Sequence, residues 1–394
     1  MPKQKLAVIA THPIQYYSPV FRALALSEIV ELRVFYTWSQ TAKGAVFDQG
    51  FQTAVKWDLP LLDGYASEFV PNVAKRPGTD HFWGLKNPTL IQQIETWRPD
   101  ALLVYGWNHR SHFQALRHFK DRLPVLFRGD STLLGRRSWW RKFLRQHFLT
   151  WIYSHVDVAI AVGTNNRDYF EWCGLPPERI AFAPHSVDTE RFSADPEGQD
   201  KRAAEWRVSL GIDPAAVVVA YAGKLQSVKN PLLLLDAFSA LNDGSHLVFF
   251  GNGVLQSALR RRAAAHSNVH FLPFQNQSVM PLVYRVSDVF VLPSRSETWG
   301  LALNEAMACG RAVIASSHVG GARDLIQVGV NGWLFESGNL ERLIDVLRIA
   351  ASVGRQRLKE MGASGQTLIA GWSTVESARR ISEVVATCSI AHRC

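Results

Sequence analysis

The stretch over residues 290–315 reads FVLPSRSETWGLALNEAMACGRAVIA and carries the clearest sign of the fold. It opens with an apolar run that ends at Leu292, passes through a loop over 294–300, and continues with helical spacing over 301–308. Gly310 then ends the predicted helix, and a second apolar, β-branched run follows. A strand, a loop, a helix and another strand in this order predict one repeat of a parallel, doubly wound α/β sheet.

The same alternation continues along the chain and predicts two such units. A chain of 394 residues is too long for one ordinary core, which favours two domains of about 200 residues each. A polar stretch, SADPEGQDKRAAEW, separates two series of strand–helix repeats. We therefore predict a first domain over 1–195, a second over 196–370, and a C-terminal helix over 371–394 that packs back toward the first domain. Two such units in series predict a ligand cleft at the carboxyl ends of the strands.

Composition narrows the class of protein. The apolar content of 47% and the charged content of 20% are typical of a soluble globular protein. No apolar run approaches the roughly 20 residues of a membrane span, and the N-terminus shows no secretory signal. The four scattered cysteines, without a C-x-x-C pair, predict reduced thiols in the cytoplasm and no zinc site. A net charge of +9 favours an acidic partner without choosing among nucleotide, nucleic acid and anionic membrane.

Two basic side chains stand out in VVVAYAGKLQSVKNP, residues 217–231. Lys224 and Lys229 follow a predicted strand that ends at Gly223, and a helix is predicted to begin near Pro231. Two ammonium groups beside a strand end could clamp a diphosphate that gains charge as it leaves a substrate. The alternative is a pair of solvated surface lysines.

Two acidic side chains flank the start of the helix predicted over 301–308. Glu297 precedes the helix and Glu305 lies in its second turn, so the two carboxylates could hold different parts of one ligand, such as sugar hydroxyls and a ribose diol. The free N–H groups near Trp299, Gly300 and Leu301 favour an anion. The alternative is that Glu297 only caps the helix and Glu305 is solvated.

Together these segments resemble retaining glycosyltransferase family 4, whose members have the GT-B fold. The match consists of two glutamates with seven residues between them, then AMACG, the phosphate segment GKLQSVKNP, GGARDLIQVGVNGWLF and PHSVDTERF. The resemblance implies two Rossmann-like doubly wound domains facing each other across a cleft. The acceptor side would lie in 1–195 and the nucleotide-sugar donor side in 196–370. HPIQYYSPVFRAL resembles a subset of the family found among bacterial exopolysaccharide enzymes.

The resemblance implies a role for each donor-site residue. Lys224 and Lys229 would bind the diphosphate and act in catalysis. The family more often has arginine at the first position, and lysine keeps the charge but loses the bidentate fork. Glu305 would hold the ribose hydroxyls, and Glu297 would contact the transferred sugar as a further catalytic residue. The other implied donor contacts are the strand-end glycines, the nucleobase segment and the backbone before the helix: Gly223, Gly251, Phe274, Gln275, Thr298, Trp299, Gly300 and Leu301.

In the first domain the loop after the first strand departs from the family's common glycine-rich pattern. Thr11, His12, Pro13 and Gln15 would occupy that loop and face the leaving phosphates and the acceptor. His109 is a candidate for the family's catalytic histidine near the sugar's 6-hydroxyl, although the position itself falls at Trp107.

Other polar residues of the first domain complete this set of expectations. Arg128 or Asp130, at the next strand end, is the alternative contact for the sugar. We interpret His112 and His118 as helix-face or surface histidines. A metal site at His109 and His112 lacks a third ligand, so no metal site is predicted.

A basic and aromatic stretch over 136–153 predicts a surface helix. Such a helix could lie on an anionic membrane, or it could be an ordinary amphipathic helix with a solvated cationic edge. Nucleic acid is not expected as a partner, because no recognised binding module accompanies the charge.

The predicted activity is the retaining, metal-independent transfer of a hexose from a nucleotide sugar, most simply UDP-glucose or a similar UDP-hexose. The acceptor would be a hydroxyl of a glycan or lipid-linked molecule in exopolysaccharide or cell-envelope polysaccharide synthesis, and no cofactor beyond the donor is expected. The alternatives are an epimerase or hydrolase of the same fold, or a non-catalytic sugar-nucleotide-binding partner. A dehydrogenase is disfavoured because no G-x-G-x-x-G follows the first strand.

Overall fold

The computed structural model describes residues 3–39, 44, 46–135, 139–241 and 243–391. The chain forms two compact units, each built on its own parallel sheet. The first unit comprises Met1–Val46, Pro60–Ser186 and Thr374–Cys394, and the second comprises Phe47–Leu59 and Val187–Ser373.

The first unit contains a parallel sheet of seven strands in the order β5-β2-β1-β6-β7-β8-β9. Its strands are β1 Gln4–Ala10, β2 Val30–Tyr36, β5 Ala66–Phe69, β6 Ala101–Tyr105, β7 Val125–Arg128, β8 Val158–Ala161 and β9 Ile180–Phe182. Val8 of β1 pairs with Val34 of β2 and Leu103 of β6. Alternate residues of β1 belong to two different core clusters, so both faces of the sheet are covered. Burial on both faces explains the continuous apolar runs in the sequence.

Helices cover both faces of the first sheet. They are α1 Ser18–Ala25, α2 Leu90–Trp97, α3 Arg110–Phe119, α4 Trp139–Tyr153, α5 Thr164–Trp172 and α15 Thr374–Ala391. The C-terminal helix, α15, buries Ile381 and Val385 in the same cluster as Phe21 of α1. None of the helices in the described part of the chain has both the length and the apolar composition needed to cross a membrane.

The second unit contains a parallel sheet of six strands in the order β12-β11-β10-β13-β14-β15. These strands are β10 Val218–Ala222, β11 His246–Phe250, β12 Val269–Leu272, β13 Val289–Leu292, β14 Ala312–Ser316 and β15 Gly332–Phe335. The helices are α6 Thr189–Ser193, α7 Pro196–Ser209, α8 Pro231–Ser239, α9 Gln256–Arg262, α10 Met280–Arg285, α11 Leu301–Ala308, α12 Ala322–Leu325, α13 Leu340–Ser352 and α14 Gly354–Ile369. The predicted strand end at Leu292, the helix over 301–308 and the helix start at Pro231 are confirmed.

The division between the units differs from the predicted boundary at 195/196. The structure places it between Ser186 and Val187. Val187 already forms a bridge with Ser373, and the ring of Phe192 packs 6.0 Å from that of Tyr284, so the chain joins the second unit before the polar stretch begins.

A short segment also breaks the predicted domain order. Phe47–Leu59 belongs to the second unit although the sequence on both sides of it belongs to the first. A two-stranded hairpin of β3 Val46–Asp48 and β4 Thr53–Val55 lies in this segment, except for Val46, which belongs to the first unit. The segment lies within the range predicted for the first domain, 1–195, but it makes contacts with residues more than a hundred positions away along the chain.

Strand order locates the place in each sheet where a ligand is expected. In the first sheet the order reverses between β1 and β6, and in the second between β10 and β13. Loops that leave the carboxyl ends of two such strands diverge and open a crevice. Within each unit, these two loops therefore define the candidate site.

Candidate active site

The loops after β10 and β13 meet through a lysine and a glutamate. Lys229 Nζ contacts Glu297 Oε2 directly, although the two residues are 68 positions apart. The Arg295 amide donates to the Val228 carbonyl at 2.8 Å, which holds the two loops together. The Ser294 hydroxyl also donates to Glu297 Oε2 at 3.3 Å. The structure thus brings together the predicted diphosphate ligand Lys229 and the predicted sugar ligand Glu297.

Lys224 forms its own ion pair with a residue that the sequence did not single out. Its Nζ lies 3.0 Å from Asp48 Oδ2 and 5.1 Å from the centre of the Phe51 ring. The Tyr221 hydroxyl donates to the Lys224 carbonyl at 2.8 Å and fixes the backbone at the strand end. The side chains of Lys224 and Lys229 are 35% and 25% exposed, so the alternative of two solvated surface lysines is wrong.

Glycines allow the loops after β10 and β11 to touch. Gly251 has a φ of +136°, and a Cβ placed there would lie 2.1 Å from the Gly223 carbonyl oxygen. No side chain fits at that distance, so residue 251 must be glycine. The structure therefore places Gly223 and Gly251, both predicted beside the donor, against each other at the strand ends.

Glu305 is buried inside the second unit. It is 2% exposed, and the Tyr284 hydroxyl of α10 donates to its Oε2 at 2.5 Å. The alternative that Glu305 is a solvated helix residue is therefore wrong. A buried carboxylate needs hydrogen-bond donors around it, and Tyr284 supplies one that sequence reasoning missed.

The start of α11 is shaped by a glycine and a tryptophan. Gly300 occupies the N-cap position with a φ of +96° and brings no side chain of its own. Trp299 is 2% exposed, and its indole N–H donates to Asn304 Oδ1 at 2.9 Å. Because its side chain is buried and already bonded, Trp299 can offer a ligand only its backbone. Of the other predicted residues here, Thr298 is exposed and Leu301 is the first residue of the helix.

The predicted nucleobase segment lies under aromatic side chains. The Phe274 ring is 4.7 Å from Phe51 and 6.4 Å from Trp57, centre to centre. Its amide donates to Asn252 Oδ1 at 3.2 Å, and the Gln275 side chain donates to the Pro273 carbonyl at 3.2 Å. In this structure both predicted base-reading residues are engaged within their own unit.

In the first unit the loops after β1 and β6 bring histidines together. His12 is half-buried, and His109, at the N-cap of α3, is 4% exposed. Burial lowers the pKa of both imidazoles, and the nearby His109 lowers the pKa of His12 further. Pro13 is buried, Gln15 is half-buried, and the Thr11 carbonyl accepts from the Trp38 amide at 2.7 Å. These residues present neutral polar groups rather than charges.

Two other histidines lie in different environments, one in the core and one near the surface. His112 is fully buried on α3, so it is a helix-face histidine, as predicted, but it does not lie at the surface. Its Nδ1 lies 3.1 and 3.0 Å from the carbonyls of Tyr105 and Gly106 and must therefore carry the hydrogen. Burial, with His109 nearby, lowers the pKa of His112 to about 4. His118 lies near the surface, 2.7 Å from a Glu95 carboxylate oxygen, as expected.

Arg128 and Asp130 have different surroundings. The buried Arg128 guanidinium donates to the carbonyls of Ala183 and Pro184 at 3.0 and 2.8 Å. Its hydrogen bonds therefore go to the backbone after β9, and the prediction that Arg128 is an alternative sugar contact is not supported by this geometry. Asp130 Oδ2 lies 4.0 Å from His185 Nε2. Burial lowers the pKa of His185 to about 4, although the charge of Asp130 acts to raise it.

The described part of the basic aromatic stretch is α4; residues 136–138 lie outside the described residues. Leu149, Ile152 and Tyr153 pack into the first unit. Among the other described side chains of the helix, five large apolar ones are 48% to 62% exposed: Trp140, Phe143, Leu144, Phe148 and Trp151. The helix thus packs on its own unit, as the amphipathic alternative predicts, and it also exposes apolar side chains that a cationic edge alone would not have.

Within the described residues, no group of three or more His, Cys, Asp or Glu side chains has the arrangement of a metal site. Cys173, Cys309 and Cys388 carry free thiols, and Cys394 lies outside the described residues. Burial raises the pKa of Cys173 and of Cys309 to about 12, which makes both thiols unreactive at neutral pH.

Comparison with known proteins follows the same division of the chain. The model of Glycosyltransferase Family 4 matches residues 56–191, and that of Glycosyl transferases group 1 matches residues 203–366. D-inositol 3-phosphate glycosyltransferase from Segniliparus rotundus is 34% identical over 208 residues, which are 50% of this chain and 44% of that protein. The chain spans about half the length of the curated relatives it matches.

Solved structures are similar over nearly the whole chain. Anabaena Alr3699/HepE in complex with UDP superposes with a TM-score of 0.73 at 17% identity, covering 98% of this chain and 100% of that one. The same protein in complex with UDP-glucose gives 0.70 at 17% identity, with the same coverage. At this level of identity the likeness shows the fold alone.

These findings define the class of protein as α/β with the GT-B fold, built from two Rossmann-like units, and this prediction is confirmed. The chain belongs to the glycosyltransferases described by the group 1 and family 4 models, which together match most of it.

Proposed function

We propose that this chain is a retaining glycosyltransferase that moves a hexose from a UDP-hexose to a hydroxyl of a glycan or lipid-linked acceptor. The contact between Lys229 and Glu297 at the strand-order reversal of the second sheet carries the proposal. In a nucleotide sugar the diphosphate and the transferred sugar are directly bonded, so their protein ligands must be neighbours. A cation and a carboxylate in contact meet that requirement.

The donor is proposed from the same loops and from the relatives. Lys224 and Lys229 supply two positive charges for a diphosphate, and the start of α11 adds backbone donors. Glu305 would take the ribose hydroxyls. Because a protein of the same fold has been solved with UDP and with UDP-glucose, we propose UDP-glucose or a similar UDP-hexose as the donor.

The proposed chemistry retains configuration at the anomeric carbon. The acceptor hydroxyl enters on the side from which the diphosphate leaves, the bond from the anomeric carbon to the phosphate oxygen breaks, and a new bond to the acceptor oxygen forms. The departing phosphate oxygen takes the acceptor's proton, so no side-chain base is assigned. The lysines balance the growing charge on the diphosphate, and we propose that no divalent metal takes part.

The acceptor side is proposed from the first unit. Imidazoles with lowered pKa values, such as those of His12 and His109, are neutral at pH 7 and suit hydrogen bonds to hydroxyl groups. His109 is the proposed contact of the transferred sugar. We propose the polysaccharide role because HPIQYYSPVFRAL resembles a subset of the family found among bacterial exopolysaccharide enzymes; the relative from Segniliparus rotundus is instead named for D-inositol 3-phosphate.

One labelled donor tests this function against its rivals. Screening UDP-, GDP-, ADP- and dTDP-sugars by thermal shift selects the donor, and the products are then separated with and without candidate glycan acceptors. Product formed only with an acceptor and abolished in Lys229→Ala supports transfer. Free sugar or an epimer without acceptor would instead show a hydrolase or an epimerase. Binding without turnover on any donor would favour a non-catalytic partner.

We further propose that α4 binds an anionic membrane surface. Ring contacts connect the exposed Trp83, through Phe82 and Phe113, to Trp151 of α4, so the exposed aromatic surface is larger than the helix. The guanidinium of Arg110 lies 5.4 Å from the centre of the Trp83 ring, and that of Arg117 lies 5.9 Å from the Phe113 ring. Aromatic rings with cations among them suit the headgroup region of an anionic bilayer.

Vesicle co-sedimentation tests this second proposal. The protein should bind phosphatidylglycerol vesicles, release with added salt, and bind phosphatidylcholine vesicles weakly. A Phe143→Ser and Leu144→Ser double variant should lose most of the binding. Leu26→Ser is the matched control, because Leu26 is 79% exposed in the same unit and lies outside α4. Equal binding by the double variant and the wild type would contradict the proposal.

A further inference from the structure

The segment Phe47–Leu59 lies against residues of the proposed donor site, within the second unit. Its first part, residues 47–55, falls outside both family matches, so the resemblance assigns it no role. The turn in DQG is built by Asp48, whose Oδ1 accepts from the amides of Gly50 and Phe51 at 2.7 and 3.0 Å. This use of Asp is an Asx-turn, and it leaves the other carboxylate oxygen available for a partner.

That other oxygen, Asp48 Oδ2, is 3.0 Å from Lys224 Nζ. Burial works to raise the pKa of the Asp48 carboxyl, but the hydrogen bonds from Lys224, Phe51 and Gly50 outweigh it and hold the pKa below its ordinary value. The group is therefore a carboxylate at neutral pH. It sits against the lysine that the proposed function assigns to the donor diphosphate.

Further contacts fix the segment over the nucleobase side. Phe51 and Trp57 both pack on the Phe274 ring. The Asn276 side chain donates to the Lys56 carbonyl at 2.7 Å, and the Ser278 amide lies 3.2 Å from both carboxylate oxygens of Asp58. Asp48 is thus held in place from several directions rather than by its ion pair alone.

We infer that Asp48 is a residue of the donor site and competes with the donor diphosphate for Lys224. This inference rests on the proposed function, which makes Lys224 a diphosphate ligand. A carboxylate oxygen and a phosphate oxygen need the same ammonium group, and two anions beside one cation repel each other. Donor binding therefore exchanges Asp48 for a phosphate oxygen, and Asp48 lowers the affinity for every diphosphate ligand.

Asp48→Asn tests the exchange because it removes the charge and keeps the oxygen that builds the turn. Calorimetric titration with UDP, inorganic pyrophosphate and uridine separates the contributions of phosphate and base. We expect Asp48→Asn to bind UDP and pyrophosphate about two- to fivefold tighter, the range of a part-exposed ion pair, with uridine unchanged. The gain should shrink at high salt.

Asp58→Asn is the matched control. Asp58 belongs to the same segment, and its carboxylate accepts from Ser278 rather than from a lysine. This variant should leave pyrophosphate affinity unchanged.

The possible results separate the inference from the proposed function. Unchanged or weaker diphosphate binding by Asp48→Asn, where the wild type binds UDP, overturns the inference alone. An equal loss of UDP and uridine would assign Asp48 only to the structure of the hairpin. Tighter pyrophosphate binding without binding of any nucleoside diphosphate would keep the inference and reject the proposed donor. No binding of any diphosphate to either protein would reject both.

Discussion

The strand-end loops of the two units share a topology and differ in electrostatics. In the second unit the lysines after β10 contact carboxylates: Lys224 contacts Asp48 of the Phe47–Leu59 segment, and Lys229 contacts Glu297 in the loop after β13. In the first unit the loops after β1 and β6 carry imidazoles whose pKa values burial has lowered. The same doubly wound plan therefore offers charge in one unit and neutral hydrogen bonding in the other.

This difference matches what each unit is proposed to bind. A diphosphate needs cations, and Lys224 and Lys229 supply two ammonium groups near the strand ends. Sugar and acceptor hydroxyls need donors and acceptors without a net charge, because an unpaired buried charge costs far more than a neutral group. The comparison predicts that mutations in the second unit act on donor binding and chemistry, and those in the first on stability and sugar positioning.

The largest expected effect is the loss of Lys229. Lys229→Ala removes the cation beside Glu297, so both the leaving diphosphate and the carboxylate lose their partner. We expect kcat to fall by about 10²- to 10³-fold, the size seen when one donor to a developing anion is removed. The measurement is the turnover of labelled donor at saturation, with circular dichroism to confirm the fold. Lys3→Ala, in the other unit, is the control, and equal activity of Lys229→Ala and wild type would reject the charged site.

The second largest expected effect concerns the neutral histidines of the first unit. His112 has a pKa of about 4 when folded and about 6.5 when unfolded, so the unfolded chain binds more protons between these values. Its stabilising contribution is full above pH 6.5 and is lost as the pH falls toward 4, by roughly 3 kcal/mol in all. Urea unfolding at pH 7.5 and pH 5 measures the part of this loss that falls between those two values, roughly 2 kcal/mol.

His112→Asn is the matched variant for this experiment. Asparagine keeps an N–H donor toward the carbonyls of Tyr105 and Gly106 and does not titrate. It should be less sensitive to acid than the wild type, although it is less stable at pH 7.5. The same acid dependence in both proteins would mean that His112 is not held neutral by burial.

The local parts of this arrangement could be predicted from the sequence, and the distant contacts could not. The strand end at Leu292, the helix over 301–308 and the start at Pro231 are set by glycine, proline and apolar spacing within a few residues. Asp48 and Lys224 are 176 positions apart, and nothing in the sequence around Asp48 points to the lysine.

The burial of individual polar residues could likewise not be predicted from the sequence. The apolar neighbours of Glu305 hinted at burial, but Tyr284, its partner, lies on another helix and has no motif of its own. His112 and His118 lie on one helix, α3, and only packing against Thr37 and the strand ends makes the first a core residue. Periodicity predicts which face of a helix is apolar and does not show which polar side chain the fold encloses.

A third prediction separates structure from binding in the first unit. Arg128→Met removes two hydrogen bonds from a buried guanidinium to the carbonyls of Ala183 and Pro184. We expect unfolding free energy to fall by about 2 kcal/mol, since bonds from charged groups to buried acceptors are among the stronger ones. UDP affinity should be unchanged. Arg22→Met is the control, because its two hydrogen bonds to backbone carbonyls are exposed. If Arg128→Met lost UDP affinity without losing stability, Arg128 would be a ligand contact after all.

The smallest expected effect concerns the orientation of Glu297. Ser294→Ala removes a hydrogen bond of 3.3 Å to Glu297 Oε2 and leaves the contact with Lys229 in place. Such a long bond contributes at most about 1 kcal/mol, so kcat should fall two- to fivefold with donor affinity unchanged. Ser337→Ala is the matched control, because its hydroxyl bonds the Ser294 carbonyl rather than the carboxylate. If Ser294→Ala lost as much activity as Lys229→Ala, the hydroxyl and not the lysine would orient Glu297, and the charged contact of the second unit would lose its proposed role.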